Sequence, residues 1–545
     1  MDFFVADKSK RGDPPRLGQL VLQQDGWDDY GFKTQYHLFH YGPEFDGFVG
    51  NVKILQRGQG ETSGSLLPVG HWASLDDRFC SLGQSLDYYE RLASLPETVR
   101  KDILETLRDA LQDPAHATTF QSEPGWRTSV MRDVDDDGYI ALARVLLERN
   151  YDALASREVK LKFAVRGWQN SLDLDFSAPR KPPRYPPIIF SGAPTSELPE
   201  RVAVITGRNS SGKSTLLFRL ARVLHASQAD RRQLLKLGHI DPAGIGFSRI
   251  ITIAYSAFDT FQVPGVNETE KRQIVKDIQS NTGRYVFAGL RDIAAELNER
   301  LADPSRTAPD PDDDGFALDR EDSTHLKSAK HLADEYATAI DVIFESGRTP
   351  TLIRVLNILF SDPSFAEISG KSVMDFLHED RRRAFMSWST GHKIVLHATV
   401  ILIANALPKS IVLMDEPESH LHPPLLAAYM HGVRAVLDKY DSFAIIATHS
   451  PVVVQETLRR HVSIVNRVEG GTTILSPRIE TYGESIGEIT NEVFGLHANA
   501  TDYHAALRGM VEEGLTLEQI DGYFDGGMSL QARAYVMSLL AKRLV

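Results

Sequence analysis

The sequence predicts an α/β protein with a β-rich N-terminal lobe, a phosphate-loop core and helical insertions, and three observations carry that prediction. An apolar run, Val202 to Thr206, leads into Gly207-Arg208-Asn209-Ser210-Ser211-Gly212-Lys213-Ser214-Thr215 and then into helix-like Leu216 to Leu224. A second apolar run from Ile411 ends in the paired acids Asp415-Glu416. A third, Ala444 to Thr448, closes on His449. Short apolar runs alternating with helix-length periodic segments are the pattern of a parallel sheet covered on both faces.

Taken in chain order, strand-like runs at Leu17 to Gln23, Phe32 to Tyr41 and Val49 to Leu55, with the turn-prone Asp25 to Asp29 between the first two, define a β-rich segment 1–57. From about Leu82 to Asp152 the pattern becomes helical, with Ile103, Leu104, Leu107 and Leu111 at three- and four-residue spacing, so 58–158 reads as a helical insertion. Strand signals return at Val159 to Val165 and Val202 to Thr206 on either side of a Pro-rich loop, Lys181 to Pro187, and assign 159–272 to the core. Segment 273–380 reads as a second helical insertion, with Asp303 to Gly315, rich in acid and Pro, expected as a mobile loop. The core resumes over 381–475, and 476–545 is expected as a helical tail.

Composition bounds the function. At 545 residues, 42% hydrophobic and 24% charged, the chain has material for a large core and is not a disordered polypeptide. A net charge of −13 means that any contact with nucleic acid must come from local basic clusters, such as Arg180, Lys181 and Arg184 or Arg381, Arg382 and Arg383. The single cysteine, Cys80, excludes a disulfide framework within the chain. The first residues lack the basic-then-apolar pattern of a secretory leader. The longest apolar stretch, Ile394 to Leu407, is broken by His397, Thr399 and Asn405 and falls short of the roughly 20 residues a span requires. A buried core helix, no membrane contact and a cytoplasmic location are the expectation.

The segment at 207–215 fits G-x-x-x-x-G-K-[ST] between a strand and a helix. In such a loop Gly207 and Gly212 let the backbone curl so that its N–H groups face phosphate oxygens, with Asn209, Ser210, Ser211 and Thr215 lining the same cradle. Lys213 reaches the β- and γ-phosphates, and the Ser214 hydroxyl ligates Mg²⁺. A buried strand that delivers two carboxylates to this edge suits Asp415 to a water-mediated hold on the metal and Glu416 to polarising the attacking water. His449, as a neutral imidazole at the end of the next strand, can contact the γ-phosphate.

The order of these motifs resembles that of ATP-binding-cassette (ABC) ATPases, and Met386-Ser387-Trp388-Ser389-Thr390-Gly391-His392-Lys393 resembles the signature motif of that family. The resemblance implies an ABC-type head that uses ATP and Mg²⁺. It further implies that Ser389 and Gly391 contact the γ-phosphate held by a second copy, so that two sites form in a homodimer or higher homo-oligomer. The sequence departs from transporters at Ser210, where they usually have Gly, and at His392, where they often have Gln. Gln262, Ser256 and Asp259 are alternatives for the Gln-loop contact, and Trp27, Tyr30 and Phe32 are candidates for stacking on adenine.

Asp415-Glu416-Pro417-Glu418-Ser419-His420-Leu421-His422-Pro423 resembles the D-E-P-E-x-x-L-H-P pattern of soluble, non-transporter ABC ATPases such as RecF-like proteins and overcoming-lysogenisation-defect nucleases, and implies that Glu418 to His422 lie at the subunit interface. No acidic Toprim constellation follows Val465, so DNA cleavage by this chain is not expected. Asp133 to Gly138 opens like a calcium loop but has Arg144 where a Glu is required. Leu17 to Leu22, Asp25 to Phe32, Ser81-Leu82-Gly83-Gln84 and Tyr482 to Ile489 together resemble the ATPase subunit of Septu-type antiphage systems, also found beside some retrons. That resemblance implies an ATPase controlling a separate HNH nuclease through nucleotide-dependent assembly, with a retron reverse transcriptase and its RNA–DNA as a further potential partner. The alternative is a RecF- or SMC-like DNA-repair or chromosome ATPase, and direct nucleic-acid binding is left open between the two.

Overall fold

The computed structural model describes residues 1–8, 14, 16–61, 67–134, 137–154, 159–177, 198–258, 261–302, 324–365, 373, 377, 380–468, 471–494 and 502–543. The expected loops at Lys181 to Pro187 and Asp303 to Gly315, the cluster Arg180, Lys181 and Arg184, and Asp259 lie outside these residues.

The N-terminal lobe is a six-stranded sheet, β1 (Phe3–Ala6), β2 (Leu20–Gln24), β3 (Gln35–Tyr41), β4 (Asp46–Gln56), β5 (Gly70–Trp72) and β6 (Phe79–Gly83), in the order β5-β1-β2-β3-β4-β6. Two of these strands come from the segment expected to be helical, and β6 is buried throughout beside β4. Helices Leu86–Ser94, Glu97–Thr106 and Asp137–Glu148 follow. Their apolar faces, including Ile103 and Leu104, close over β2, β3, β4 and β6 in one core; the second of these helices ends at Thr106, so Leu107 and Leu111, expected on the same helical face, join that core from the turns after it.

The central sheet contains β9 (Val202–Thr206), β11 (Ile250–Ala254), β12 (Tyr285–Gly289), β13 (Ile411–Asp415), β14 (Phe443–Ala447), β15 (Val462–Val468) and β16 (Gly471–Leu475), ordered β12-β11-β13-β14-β9-β15-β16. All its pairings are parallel except β15 with β16. Side chains alternate between two cores, as a period of two requires. Val202, Val204, Val412, Met414, Ala444 and Ile446 face helices Ala329–Glu345, Thr349–Leu359, Thr390–Asn405 and Pro423–Lys439. Ala203, Ile205, Ile411, Leu413, Ile445 and Ala447 face helix Lys213–His225 and a small sheet of β7 (Lys160–Ala164), β8 (Leu172–Asp175) and β10 (His239–Asp241). Helix Thr390–Asn405 is apolar on every side and accordingly buried, as a core helix should be. Strand β12 lies inside the segment expected as a helical insertion: its YVFAG run is fully buried and extends the sheet past β11.

Lobe and core are joined by buried charge. Arg284 on the core side pairs with Asp87 at 3.0 Å and donates to the His225 and Phe247 carbonyls at 2.9 and 3.0 Å. Arg91 pairs with Asp277 at 3.0 Å, and Gln273 accepts from the Phe48 N–H. Beyond residue 494, helices Asp502–Glu512, Leu517–Asp521 and Leu530–Arg543 share a small core of Leu507, Val511, Ile520, Met528 and Val536. No helix among the described residues is long and apolar enough to cross a membrane.

Candidate active site

Strand register builds the site. Asp415 at the end of β13 pairs with Ala447 of β14, and Ala447 pairs with Ile205 of β9, so three chain segments leave the sheet at one level. Beyond that level the ladder continues, Glu416 N–H donating to the Ala447 carbonyl at 2.8 Å and Thr448 N–H to the Ile205 carbonyl at 3.0 Å. This is the carboxyl edge of a parallel sheet, where α/β proteins place ligands.

The phosphate loop turns through left-handed backbone at Gly207 (φ 147°), Ser210 (φ 62°) and Gly212 (φ 104°). A Cβ on Gly207 would sit 2.2 Å from the Val465 carbonyl oxygen, which only glycine avoids. Ser210 thus occupies a position that favours glycine, and the departure noted in the sequence carries a local backbone cost. Asn209 and Ser210 are exposed and Thr215 is half-buried. Ser211 is buried, its hydroxyl lacking a hydrogen-bond partner among the described residues, as a cradle for a phosphate oxygen would leave it. Helix Lys213–His225 starts here and aims its N-terminus at the cradle.

The four residues expected for catalysis or metal binding and the phosphate-binding Lys213 form one cluster. Lys213 Nζ donates to the Gly207 and Arg208 carbonyls at 3.4 and 3.3 Å and lies 2.5 Å from His449 Nε2. His449 Nε2 is 3.5 Å from Glu416 Oε1, and Ser214 Oγ donates to Asp415 Oδ1 at 3.0 Å. Glu416 has φ 45°, a turn that swings its half-exposed side chain out of the strand. Burial, then the charge of Lys213, hold the His449 imidazolium form down, so the neutral ring accepts a hydrogen bond from the Lys213 ammonium. Burial likewise lowers Lys213, against the opposing pull of Glu416 and Asp415.

Ser389 and Gly391 lie in a separate cluster. Ser389 caps helix Thr390–Asn405, accepting from the His392 N–H, and its side chain is at the surface. Gly391 lets the following loop approach: a Cβ there would meet the His420 carbonyl oxygen at 2.9 Å. The contacts of two further residues emerge only from the coordinates. Glu418, expected at the subunit interface, turns inward and accepts from Thr448 Oγ1 at 2.8 Å and from the His449 N–H at 2.5 Å, fixing the backbone of that histidine. Trp168, in the turn between β7 and β8, stands 3.1 Å from where a Cβ on Gly212 would be.

Of the remaining candidates, Trp27 donates to Asp29, Tyr30 lies under Arg132, and Phe32 is buried beside Gly125, while Trp168 is a ring beside the phosphate loop. Of the Gln-loop alternatives, Gln262 accepts from Lys271 at 3.5 Å and Ser256 caps its own turn through the Phe258 N–H. Arg381 and Arg382 pair with Asp341 and Asp334. Asp133 is buried against Lys53 at 3.1 Å and Arg232 at 2.6 Å, a structural use that explains its acid without calcium.

Residues 202–455 match the family model described as "AAA domain, putative AbiEii toxin, Type IV TA system". Over those residues the chain is similar to AAA domains. Across 100% of its length, and 99% of the relative's, the chain is 28% identical to Protein ea59 of Escherichia phage lambda. Solved structures similar to it include the ADP conformation of an ATP-binding cassette of an ABC transporter, at 13% identity over 62% of this chain and 94% of that one, TM-score 0.27. Another is UvrA2 from Deinococcus radiodurans, at 16% identity over 57% and 36%, TM-score 0.24. A third is an Smc head bound to the C-winged helix domain of ScpA, at 13% identity over 59% and 98%, TM-score 0.25. The architecture described above rests on the chain's own sheet order, and the candidate site is the carboxyl edge of that sheet.

Proposed function

We propose that the protein hydrolyses ATP in sites completed by a second copy of the chain, and that nucleotide state governs its assembly with a separate nuclease in antiphage defence. The carrying observation is the division of labour. Lys213, Ser214, Asp415, Glu416 and His449 converge in one cluster, while Ser389 stands exposed at the N-terminus of another helix. In this reading Lys213 and the loop N–H groups bind the phosphates, Trp168 offers a ring to the adenine, and Glu416 orients the attacking water. His449 then reads the γ-phosphate, and Ser389 and Gly391 close on the same group from the partner copy. Ser214 Oγ and Asp415 Oδ1 are paired oxygen donors, a set that fits Mg²⁺, which takes few protein ligands beside substrate phosphates. When bound, Mg²⁺ supplies charge neutralisation for the β- and γ-phosphates.

Hydrolysis removes the group both copies share, so it opens the assembly. The regulatory reading draws on the Septu-like segments and on the toxin named in the family description. The RecF- or SMC-like alternative is disfavoured by the −13 charge and by the engagement of Arg381 and Arg382 with acids. The test is native mass of the Glu416→Gln protein with and without ATP and Mg²⁺, alone and with any HNH nuclease encoded beside it. A nucleotide-dependent change in subunit number together with gain or loss of the nuclease is expected. An unchanged assembly in both would leave a static nucleotide-binding scaffold.

A further inference from the structure

A chain of hydrogen bonds runs from the surface at Ser389 to a buried carboxylate that the active site does not use. Ser389 Oγ lies 2.8 Å from His392 Nδ1, and His392 Nε2 lies 3.0 Å from Ser364 Oγ. Ser364 bonds in turn to Asp362 through its hydroxyl, and through its N–H at 2.9 Å. His392 is only 5% exposed, with its ring 4.3 Å from that of Phe365, and Asp362 is only 4% exposed. With no proton on Asp362, one arrangement satisfies every member. Asp362, as a carboxylate, accepts the Ser364 hydroxyl proton; Ser364 Oγ accepts Nε2–H of His392; Nδ1 is therefore bare and accepts the Ser389 hydroxyl proton. Ser389 Oγ also accepts the His392 backbone N–H, so this serine turns its remaining lone pair, not its proton, toward the outside.

Lone pairs repel a phosphate oxygen. For Ser389 to donate outward its proton must leave Nδ1, and Nδ1 then faces Oγ productively only if it carries a proton of its own. A proton taken from solvent makes the ring a donor at both nitrogens, with Nδ1–H to Ser389 and Nε2–H to Ser364, and frees the Ser389 hydroxyl. We propose that His392, held by Ser364 and Asp362, is a positioning residue that couples the contact of Ser389 with a phosphate to uptake of a proton. This rests on the reading that Ser389 meets the γ-phosphate of a second copy.

The charged groups around the ring set the direction. Burial is the largest influence and keeps His392 neutral, Asp362 favours its proton, and His422, whose Nε2 is 3.9 Å from Asp362 Oδ1, opposes it. An arriving phosphate adds negative charge and draws the proton on. ATP-driven association should therefore tighten as pH falls.

The experiment measures ATP- and Mg²⁺-dependent self-association of full-length Glu416→Gln by sedimentation between pH 8 and 6, with His392 intact, with His392→Gln and with Ser364→Ala, each checked for an unchanged thermal melt in the absence of ATP. His449 and the phosphates titrate in every variant, so the difference in slope isolates His392. The inference predicts that His392 adds up to about tenfold in affinity per pH unit for each proton taken up. His392→Gln, with a permanent amide donor, should lose that increment, and Ser364→Ala should shift it along the pH axis. Equal slopes in all three overturn the relay while leaving the composite site standing. Absence of ATP-dependent association at every pH overturns the composite site and the relay with it. If His392→Gln melts early, Ser364→Ala decides: an unshifted profile overturns the relay.

Discussion

At the scale of single residues, the proposed mechanism gives chemistry to Glu416 and binding to Lys213. Glu416→Gln keeps the shape of the site but cannot polarise water, so steady-state turnover should fall roughly 100- to 10,000-fold while ATP still binds. Lys213→Ala removes a charge-assisted contact, and equilibrium binding of ATP should weaken about 10- to 100-fold. His449 adds a pH dependence. Burial depresses its pKa below the ordinary value of about 6.5, so the folded state holds a neutral ring where the unfolded chain would take a proton. Its contribution is complete above that value and is lost as pH falls below it, and the Lys213–His449 contact is lost with it. Turnover by the wild type should therefore decline on the acid side of neutrality, in the direction opposite to the tightening of association expected from His392. Most of this cluster was legible in the sequence, because glycines, a lysine and paired acids at fixed offsets leave little freedom. The inward contacts of Glu418 and the placement of Trp168 were not: one needed the fold of a turn after β13, the other a hairpin brought back over Gly212.

At the scale of elements, the signature helix and the loop after Glu416 are seated on each other through a missing side chain. Gly391→Ala would place a Cβ 2.9 Å from the His420 carbonyl oxygen, a backbone atom that cannot swing aside. Overpacking of this kind costs about 1–3 kcal/mol, to be read from denaturant midpoints, and should displace Ser389, reducing ATP-dependent association more than ATP binding. Periodicity identified β9, β13 and β14 to within a residue, because a strand buried on both faces writes itself as an unbroken apolar run. The short strands β1, β5 and β6 were hidden: three to five residues between polar segments carry too little pattern, and β6 is recognisable only once β4 is beside it.

At the scale of the whole molecule, the N-terminal lobe is tied to the core by charges removed from water, and at the far end of the phosphate-loop helix Arg284 donates to the His225 carbonyl while holding Asp87. Removing one partner strands the other, so Asp87→Ala should destabilise the protein by about 3–5 kcal/mol in denaturant unfolding, far more than loss of an exposed pair such as Arg78–Asp76. Such pairings were beyond sequence reasoning, because they join residues almost two hundred positions apart. The central claim, that a second copy completes each site, is tested most directly by mixing two inactive chains. Lys213→Ala lacks a working phosphate loop and Ser389→Ala a working signature, but a pair made of one of each contains one intact site. Random pairing of equal amounts should restore about a quarter of wild-type ATP turnover. Turnover no greater than the sum of the separate variants would contradict the account.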